Sequence, residues 1–456
     1  MRRNSLLFLL VIGVLCAAGH AADRKSTVDN LVQPVVDNGD LVGAVIGLLE
    51  DGKTLVLAYG KLDATNPKRP EASTVFEIGS VTKVFTGLAL AQMVERKMLA
   101  LDDPVRKYLP PDAVPPSSEG QKEITLLDLA TQSSGLPRMP GNFKPKDPKN
   151  PYADYTPDLL YEFLAKQTLV KKPDAGYLYS NLGVGLLGHA LSLRNGTSYE
   201  KLVADLIATP LGMRDTRVVL TDELRARLAP GHNGDGEAVP NWDLATLAGA
   251  GGLRSTTTDM LRFVAAQIDT PPALAAAVKA SHQPRANTTT PPGSIALAWH
   301  VKPDGKTMWH NGGTAGYSSY ISFDSERKTA VVVLLNSFGA QWMDRIGGRL
   351  EAMLRGEAVE PLKVRRVMQV DPKVLERYAG EYEITPLLKA TVRRVGNRLA
   401  SQITGQPEAA IYPESEKDFF YRLVDAQITF ATNEQGEVTG LVIHQGGRDV
   451  PAKRIR

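Results

Sequence analysis

Ser80-Val81-Thr82-Lys83 sets a hydroxyl and an amine three residues apart, where the strand-like Phe76-Glu77-Ile78 passes through Gly79 into a long run of helical periodicity. Residues three apart on a helix share a face. A serine hydroxyl is a weak nucleophile until a neighbour takes its proton, and a lysine can take it once burial or a second cation lowers its pKa. The same residues also fit an ordinary helix start, with Ser80 as cap and Lys83 solvated. Context separates the two readings. Ser-x-x-Lys recurs at Ser198/Lys201, after Asn195-Gly196-Thr197, and at Ser325/Lys328, inside Asp324-Ser325-Glu326-Arg327-Lys328. The first reads as a helix cap and the second as an exposed hairpin turn. Ser80 alone has an apolar strand behind it and an amphipathic helix, predicted to run to about Met98, ahead of it.

Two further groups could complete such a site. Tyr179-Ser180-Asn181 stands before an apolar helix and is the only Tyr-x-Asn in the chain. A tyrosine beside a cationic lysine has its phenolate favoured, so Tyr179 can serve as base for the serine and as acid for a leaving group. Asn181 carries both a donor and an acceptor, able to hold the lysine and a substrate amide. His310-Asn311-Gly312-Gly313 lies at the end of a strand-like run. Glycines there let a strand edge approach a ligand closely, and the Gly313 N–H can pair with that of Ser80 as an oxyanion hole. The other His-x-Gly triplets, at His232 and His444, fall in a Gly/Pro loop and in the C-terminal tail.

Taken in order, Ser80-Val81-Thr82-Lys83, Tyr179-Ser180-Asn181 and His310-Asn311-Gly312 resemble the three motifs of the class C β-lactamase and DD-peptidase superfamily. Ile124 to Ala130, Ser134-Gly135-Leu136-Pro137 and Pro210-Leu211-Gly212-Met213 are similar to supporting stretches of that family. The resemblance covers about residues 25–355. It implies Ser80 as the acylated nucleophile and proton transfers shared by Lys83 and Tyr179, with the acylation base left open between them. It also implies substrate contacts from Asn181, His310, Asn311, Gly312 and Gly313. The chain departs from the family at two places. His310-Asn311-Gly312 stands where class C β-lactamases carry Lys-Thr-Gly, and Gln132 stands where the family often has histidine. An imidazole is only partly charged near neutrality, so it would hold a substrate carboxylate less firmly than lysine.

The elements that must position these residues follow from periodicity. Ala44–Leu49 and Thr54–Tyr59 form a β-hairpin around Asp51-Gly52. Helical patterns at 124–130, 157–166, 181–193, 199–207 and 255–268 give a helical insert at about 100–245 and one later helix. Strand character returns at 296–301, 307–309, 318–323 and 329–336. The predicted fold is therefore α/β (α+β), an antiparallel sheet flanked by helices. Short strands after about residue 372 predict a small all-β module that resembles the lipocalin-like domains behind some of these hydrolases. The expected organisation is 1–21 signal peptide, 22–356 hydrolase domain, 357–371 linker and 372–456 β module.

Composition narrows the function. Of 456 residues, 43% are apolar and 23% charged, as in soluble globular proteins. Arg2 and Arg3, an apolar run from Leu6 to Leu15 and Ala17-Ala18-Gly19-His20-Ala21 describe a secretory signal peptide, too short to span a bilayer stably. Without Arg2 and Arg3, the 53 basic residues become 51 against 50 acidic ones, which argues against nucleic acid as a partner. Cys16, the one cysteine, lies in the leader, so the exported chain has neither disulfides nor a thiol nucleophile. The remaining histidines show no metal-ligand spacing, and neither metal nor cofactor is expected. These residues predict a periplasmic or secreted serine hydrolase acting on D-Ala-D-Ala-type peptides or β-lactams. An esterase, and a sensor that acylates and stalls, remain open on the same residues, and nothing fixes the oligomeric state.

Overall fold

The computed structural model describes residues 22–455, apart from 117–121, 168, 170, 171, 174 and 407. The leader and Cys16 lie outside the described residues. The larger part is built on an eight-stranded antiparallel sheet in the order Lys53–Gly60, Gly43–Glu50, Thr329–Leu335, Ser318–Asp324, Thr307–Gly313, His300–Val301, Pro292–Ile295, Ala286–Thr289. The N-terminal hairpin thus joins the late strands, with Ala44 opposite Leu335. Its turn residues Asp51 and Gly52 both take positive φ, as a tight two-residue hairpin requires.

Both faces of this sheet are covered, which is why its central strands are nearly all apolar rather than alternating. Along Gly43–Glu50, Ala44, Ile46 and Leu48 pack with Val28, Leu31 and Val35 of the helical segment 22–37 and with Trp342, Ile346 and Leu350 of helix Ala340–Leu354. Val45 and Leu49 face the other way, toward Leu261 and Val264 of helix Thr257–Ile268. Neither helix 22–37 nor Ala340–Leu354 was legible as an element; the sheet face they cover was.

Helix Thr82–Glu95 runs between this sheet layer and the helices Leu126–Ala130, Asn181–Asn195 and Tyr199–Val203. Every residue from Thr82 to Met93 is buried. This corrects the expectation of an amphipathic helix, because the helical insert covers the side that would otherwise meet water. One close approach fixes its setting: a Cβ on Gly87 would lie 2.3 Å from the Leu297 carbonyl oxygen; beside it, helix Asn181–Asn195 meets Ala248–Gly251 where a Cβ on Gly188 would lie 2.8 Å from the Gly249 Cα.

The run 296–301 is also corrected. Only His300–Val301 pairs as a strand, and Ala298 turns the chain with φ of 63°. Its N–H bonds Ala130 O, so the apolar stretch ahead of His300 packs against the helices instead of extending the sheet.

The C-terminal strands, Gly380–Thr385 to Arg448–Arg454, close into an eight-stranded barrel, with Tyr382 opposite Arg454. Tyr378, from helix Pro372–Tyr378, stacks on Phe430 at 4.0 Å, and Phe419 and Tyr382 fill the space around them. The interior is therefore packed with side chains, as a small barrel allows. The barrel docks through Arg398 and Tyr412 on Asp235, and through Arg422, which reaches Asp40 at 3.1 Å. Asp235 sits between the two short strands Gly231–His232 and Ala238–Val239, within a stretch that reads from sequence as an unstructured loop.

Two glycine substitutions should move stability in opposite directions. Gly87→Ala forces a methyl onto the Leu297 carbonyl and should cost about 1–3 kcal/mol. Gly348→Ala, in the middle of helix Ala340–Leu354 with nothing within 4 Å of the added Cβ, should gain about 0.5–1 kcal/mol. Urea midpoints measure both, and a shift of the same sign in the two variants would contradict this packing.

Candidate active site

Ser80 lies in a 3-10 turn, Gly79–Val81, immediately ahead of helix Thr82–Glu95, and its hydroxyl caps nothing. The turn is held from both sides. Val75–Glu77 pairs with Arg254–Thr256, and the Ser319 hydroxyl donates to Ile78 O at 2.8 Å. Gly312 of the neighbouring strand and Gly79 of the turn itself allow the turn to lie against the strand's end. A Cβ on Gly312 would sit 2.1 Å from Ile78 O and 2.9 Å from Ser80 N, and one on Gly79 would sit 2.7 Å from Gly313 N. Thr314 N–H bonds to Tyr317 O across the turn that leads into strand Ser318–Asp324. Because successive N–H groups of a strand alternate direction, that of Gly313 is directed to the opposite edge, where the Ser80 turn lies.

Lys83 is fully buried. Its Nζ stands 2.8 Å from Ser80 Oγ, 2.9 Å from Asn181 Oδ1 and 2.6 Å from Ala250 O. Burial pushes its pKa well below the usual lysine value, and the Arg138 guanidinium pushes in the same direction. The three contacts serve both protonation states. A neutral amine gives its two N–H groups to Asn181 Oδ1 and Ala250 O and turns its lone pair to the Ser80 hydroxyl; an ammonium donates to all three.

Tyr179 donates its hydroxyl to Ser80 Oγ at 2.7 Å, and Lys83 Nζ lies 4.9 Å from the centre of its ring. Its pKa is pushed up to about 12, mainly by burial, against smaller lowering effects from the Ser80 hydrogen bond and Arg138. This reverses the expected pairing of a cationic lysine with a favoured phenolate. Desolvation penalises both charged forms and leaves an amine beside a phenol.

The Tyr179 turn is positioned by residues that the motif reading passed over. The Gln132 side-chain oxygen accepts the Ser180 N–H at 2.7 Å, and its carbonyl accepts the Leu178 N–H at 2.7 Å. Gln132 itself stands at φ of 58°. The Ser180 hydroxyl caps the helix Asn181–Asn195 by accepting from Gly183 N, which leaves the Asn181 side chain for Lys83. Gln132 stood out in the sequence only as a departure from the family pattern. Nothing marked Ala250, whose contribution is a main-chain oxygen that every residue possesses.

Strand Thr307–Gly313 splits the third motif. His310 is 1% exposed, with Nδ1 2.6 Å from Asn311 O and its ring 5.2 Å from that of His300. Burial, then His300 and Lys83, push its pKa well below the usual histidine range. The expectation of a partly charged imidazole is corrected to a neutral one, since a dry site with another amine nearby disfavours a proton. Strand alternation turns Asn311 to the opposite face, where its amide donates to Asp344 at 2.8 Å, so its side chain does not meet the substrate as expected. Gly312 is buried beneath Ser80, and Gly313 is exposed beside it.

Residues 28–353 match the family model described as Beta-lactamase, and residues 364–453 match a domain of unknown function, DUF3471. D-alanyl-D-alanine-carboxypeptidase/endopeptidase AmpH of Escherichia coli (strain K12) is 31% identical over 58% of this chain and 69% of its own. Protein flp of Staphylococcus aureus (strain NCTC 8325 / PS 47) is 25% identical over 81% of this chain and 73% of its own. Among solved structures, a beta-lactamase/D-alanine carboxypeptidase from Yersinia pestis superimposes with a TM-score of 0.65 at 24% identity, over 73% of this chain and 98% of that one. A class C beta-lactamase gives 0.64 at 22% identity, with the same coverage. At these identities the superpositions speak for the fold, an antiparallel sheet flanked by helices.

Gln132→Ala removes the acceptor of a buried N–H and should cost about 1–3 kcal/mol in stability. Turnover of a chromogenic ester should fall with it, because Tyr179 loses its support. Gln132→Glu, which keeps the oxygen, should recover part of both. Wild-type turnover by Gln132→Ala would remove this residue from any positioning role.

Proposed function

The chain belongs to the beta-lactamase family, and on that footing we propose that it is an exported serine hydrolase acting through a Ser80 acyl-enzyme on D-Ala-D-Ala-type peptides or the β-lactams that mimic them. The observation that carries this reading is the convergence of Lys83 Nζ at 2.8 Å and Tyr179 Oη at 2.7 Å on one serine oxygen. Two buried proton-handling groups meet at the same atom. The hydrolase domain is placed at 22–356 and the barrel at 372–456, joined by 357–371. The basic, apolar and small-residue succession of residues 1–21 supports export, and no helix among the described residues is long and apolar enough to cross a membrane.

Each group has a role in the proposed reaction. Ser80 Oγ attacks the substrate carbonyl carbon while its proton passes to the neutral Lys83 amine. The N–H groups of Ser80 and Gly313 hold the developing oxyanion; loss of one such donor typically costs about 10²–10³ in rate. Collapse of the tetrahedral intermediate breaks the carbon–nitrogen bond. The Tyr179 hydroxyl gives the leaving nitrogen its proton, and the Lys83 ammonium, which lies against the same serine oxygen, returns its proton to the phenolate so formed. Water then attacks the ester carbonyl with the same groups working in reverse, and Ser80 is released. Asn181 keeps Lys83 on line throughout, and Lys83 rather than Tyr179 is the base for acylation.

The family relation also supports the substrate class, since AmpH is by name a D-alanyl-D-alanine-carboxypeptidase/endopeptidase. The His310 position supplies no charge for a substrate carboxylate.

Intact-mass measurement with a penicillin and with a D-Ala-D-Ala peptide tests the reading. A covalent adduct or turnover is expected from the wild type and from neither reaction in Ser80→Ala; ester cleavage that is equal in both would overturn the assignment. The pH dependence follows from Lys83. Its amine is active when neutral, so kcat/KM should rise with pH along a limb whose midpoint lies below 10.5, the ordinary lysine value. Tyr179, whose pKa is near 12, should impose no fall around pH 10. Lys83→Met should remove that limb and about 10²–10⁴ of the rate.

A further inference from the structure

We propose that the C-terminal barrel is a positioning part of the active site: its grip on Asp235 sets the strand end that carries the Gly313 N–H, which makes Asp235 a positioning residue for the reaction. The proposal rests on the hydrolase reading above and goes beyond it by giving the barrel a role in turnover.

The chain leaves strand Thr307–Gly313 through the turn Thr314-Ala315-Gly316-Tyr317, and the small hairpin of Gly231–His232 and Ala238–Val239 clamps that turn. His232 N–H donates to Gly316 O at 3.0 Å and to Asn336 O at 3.1 Å. Gly231 and Gly316 lie main chain on main chain, since a Cβ on Gly316 would stand 2.7 Å from the Gly231 Cα. Tyr317 donates its hydroxyl to Ala229 O and accepts the Asn241 amide at 2.8 Å. The His232 carbonyl accepts Phe338 N–H at 2.8 Å, and the Phe338 ring stands 3.5 Å from the Cβ position of Gly313. One hairpin thus sets both the turn after Gly313 and the ring beside it.

A hairpin with two residue pairs in its ladder is marginal by itself, so its tip needs support. The barrel supplies it. Asp235 accepts Arg398 at 2.8 Å and the Tyr412 hydroxyl, and Leu423 packs on Gly234, where a Cβ would lie 2.5 Å from Leu423 Cδ2. Arg422 lies over the Tyr412 ring at 4.4 Å, and its carbonyl accepts the side-chain amide of Gln341, three residues beyond Phe338, at 2.6 Å. The barrel therefore reaches the Phe338 segment twice, through the hairpin and through the start of helix Ala340–Leu354. An oxyanion donor stabilises the transition state because it is fixed before charge develops on the substrate oxygen. A strand end that can shift loses part of that effect and leaves ground-state contacts elsewhere in place, so loss of the grip acts on kcat and not on KM.

The test compares full-length wild type, Asp235→Asn, Tyr412→Phe and Phe338→Ala, each at a temperature where circular dichroism shows it folded. Asp235→Asn should lower kcat for a chromogenic acyl ester about 3–30-fold, with KM changed by less than about a factor of two. It should weaken inhibition by an arylboronic acid to a similar degree, because the tetrahedral adduct on Ser80 places an oxygen at the oxyanion site. Tyr412→Phe should act in the same direction and less strongly. In Phe338→Ala, which lacks the ring between hairpin and strand end, adding Asp235→Asn should cost less than it does in wild type. Unchanged kcat and boronate inhibition in Asp235→Asn, with a lowered urea midpoint alone, would make the grip a stability contact and overturn the assignment; a loss confined to KM would overturn it equally. Absence of Ser80-dependent turnover of the ester, a D-Ala-D-Ala peptide and a penicillin by the wild type overturns the hydrolase reading, and the present assignment with it.

Discussion

The structure depends on one buried amine. Lys83 is placed on a helix with no exposed side, within reach of three oxygen atoms from three separate elements: the Ser80 turn, the Asn181 helix start and the short helix Ala248–Gly251. Burying an ammonium without a carboxylate is costly, and the cost is relieved by loss of its proton. A lysine in this setting gives up its proton more readily than a solvated one because of what surrounds it. In the proposed reaction the three acceptors would let it gain a proton without moving, so little reorganisation would accompany that step.

Holding that geometry requires close packing of main chain on main chain. Gly79 and Gly312 let the Ser80 turn lie on the end of a strand, and Gly87, Gly188 and Gly249 let the helices around Lys83 approach neighbouring main chain to backbone distance. The hydrogen bonds of Gln132 and Ser180 then set the Tyr179 segment against the same serine. Precision at the site is thus a property of three layers: sheet edge, buried helix and insert.

The barrel stands outside this arrangement but is not detached from it. Asp235, which it grips through Arg398 and Tyr412, lies in the small hairpin whose His232 N–H and carbonyl bond Gly316, Asn336 and Phe338. The Phe338 ring lies beside Gly313, 3.5 Å from where a Cβ would project. Its interior is packed with aromatic and aliphatic side chains, and it holds this hairpin through residues on its outer surface.

Much of the site was legible in the sequence. A hydroxyl and an amine three residues apart after a strand, the only Tyr-x-Asn, and glycines at a strand end carry their chemistry in residue type and spacing, which local geometry preserves. The hairpin at Asp51-Gly52, the cap at Ser198 and the helix Pro157–Lys166 are likewise local, set by turn and capping preferences. Protonation was not legible. The charge of Lys83, Tyr179 and His310 depends on how much water reaches them, and that is decided by segments remote in the chain. Nor could spacing show that Asn311 turns away to Asp344, that Thr82–Met93 is buried on every side, or that Arg138 leans over Tyr179. Residue types determined which reactions this chain can attempt; only the tertiary structure, through burial, decided which atoms hold the protons when it does.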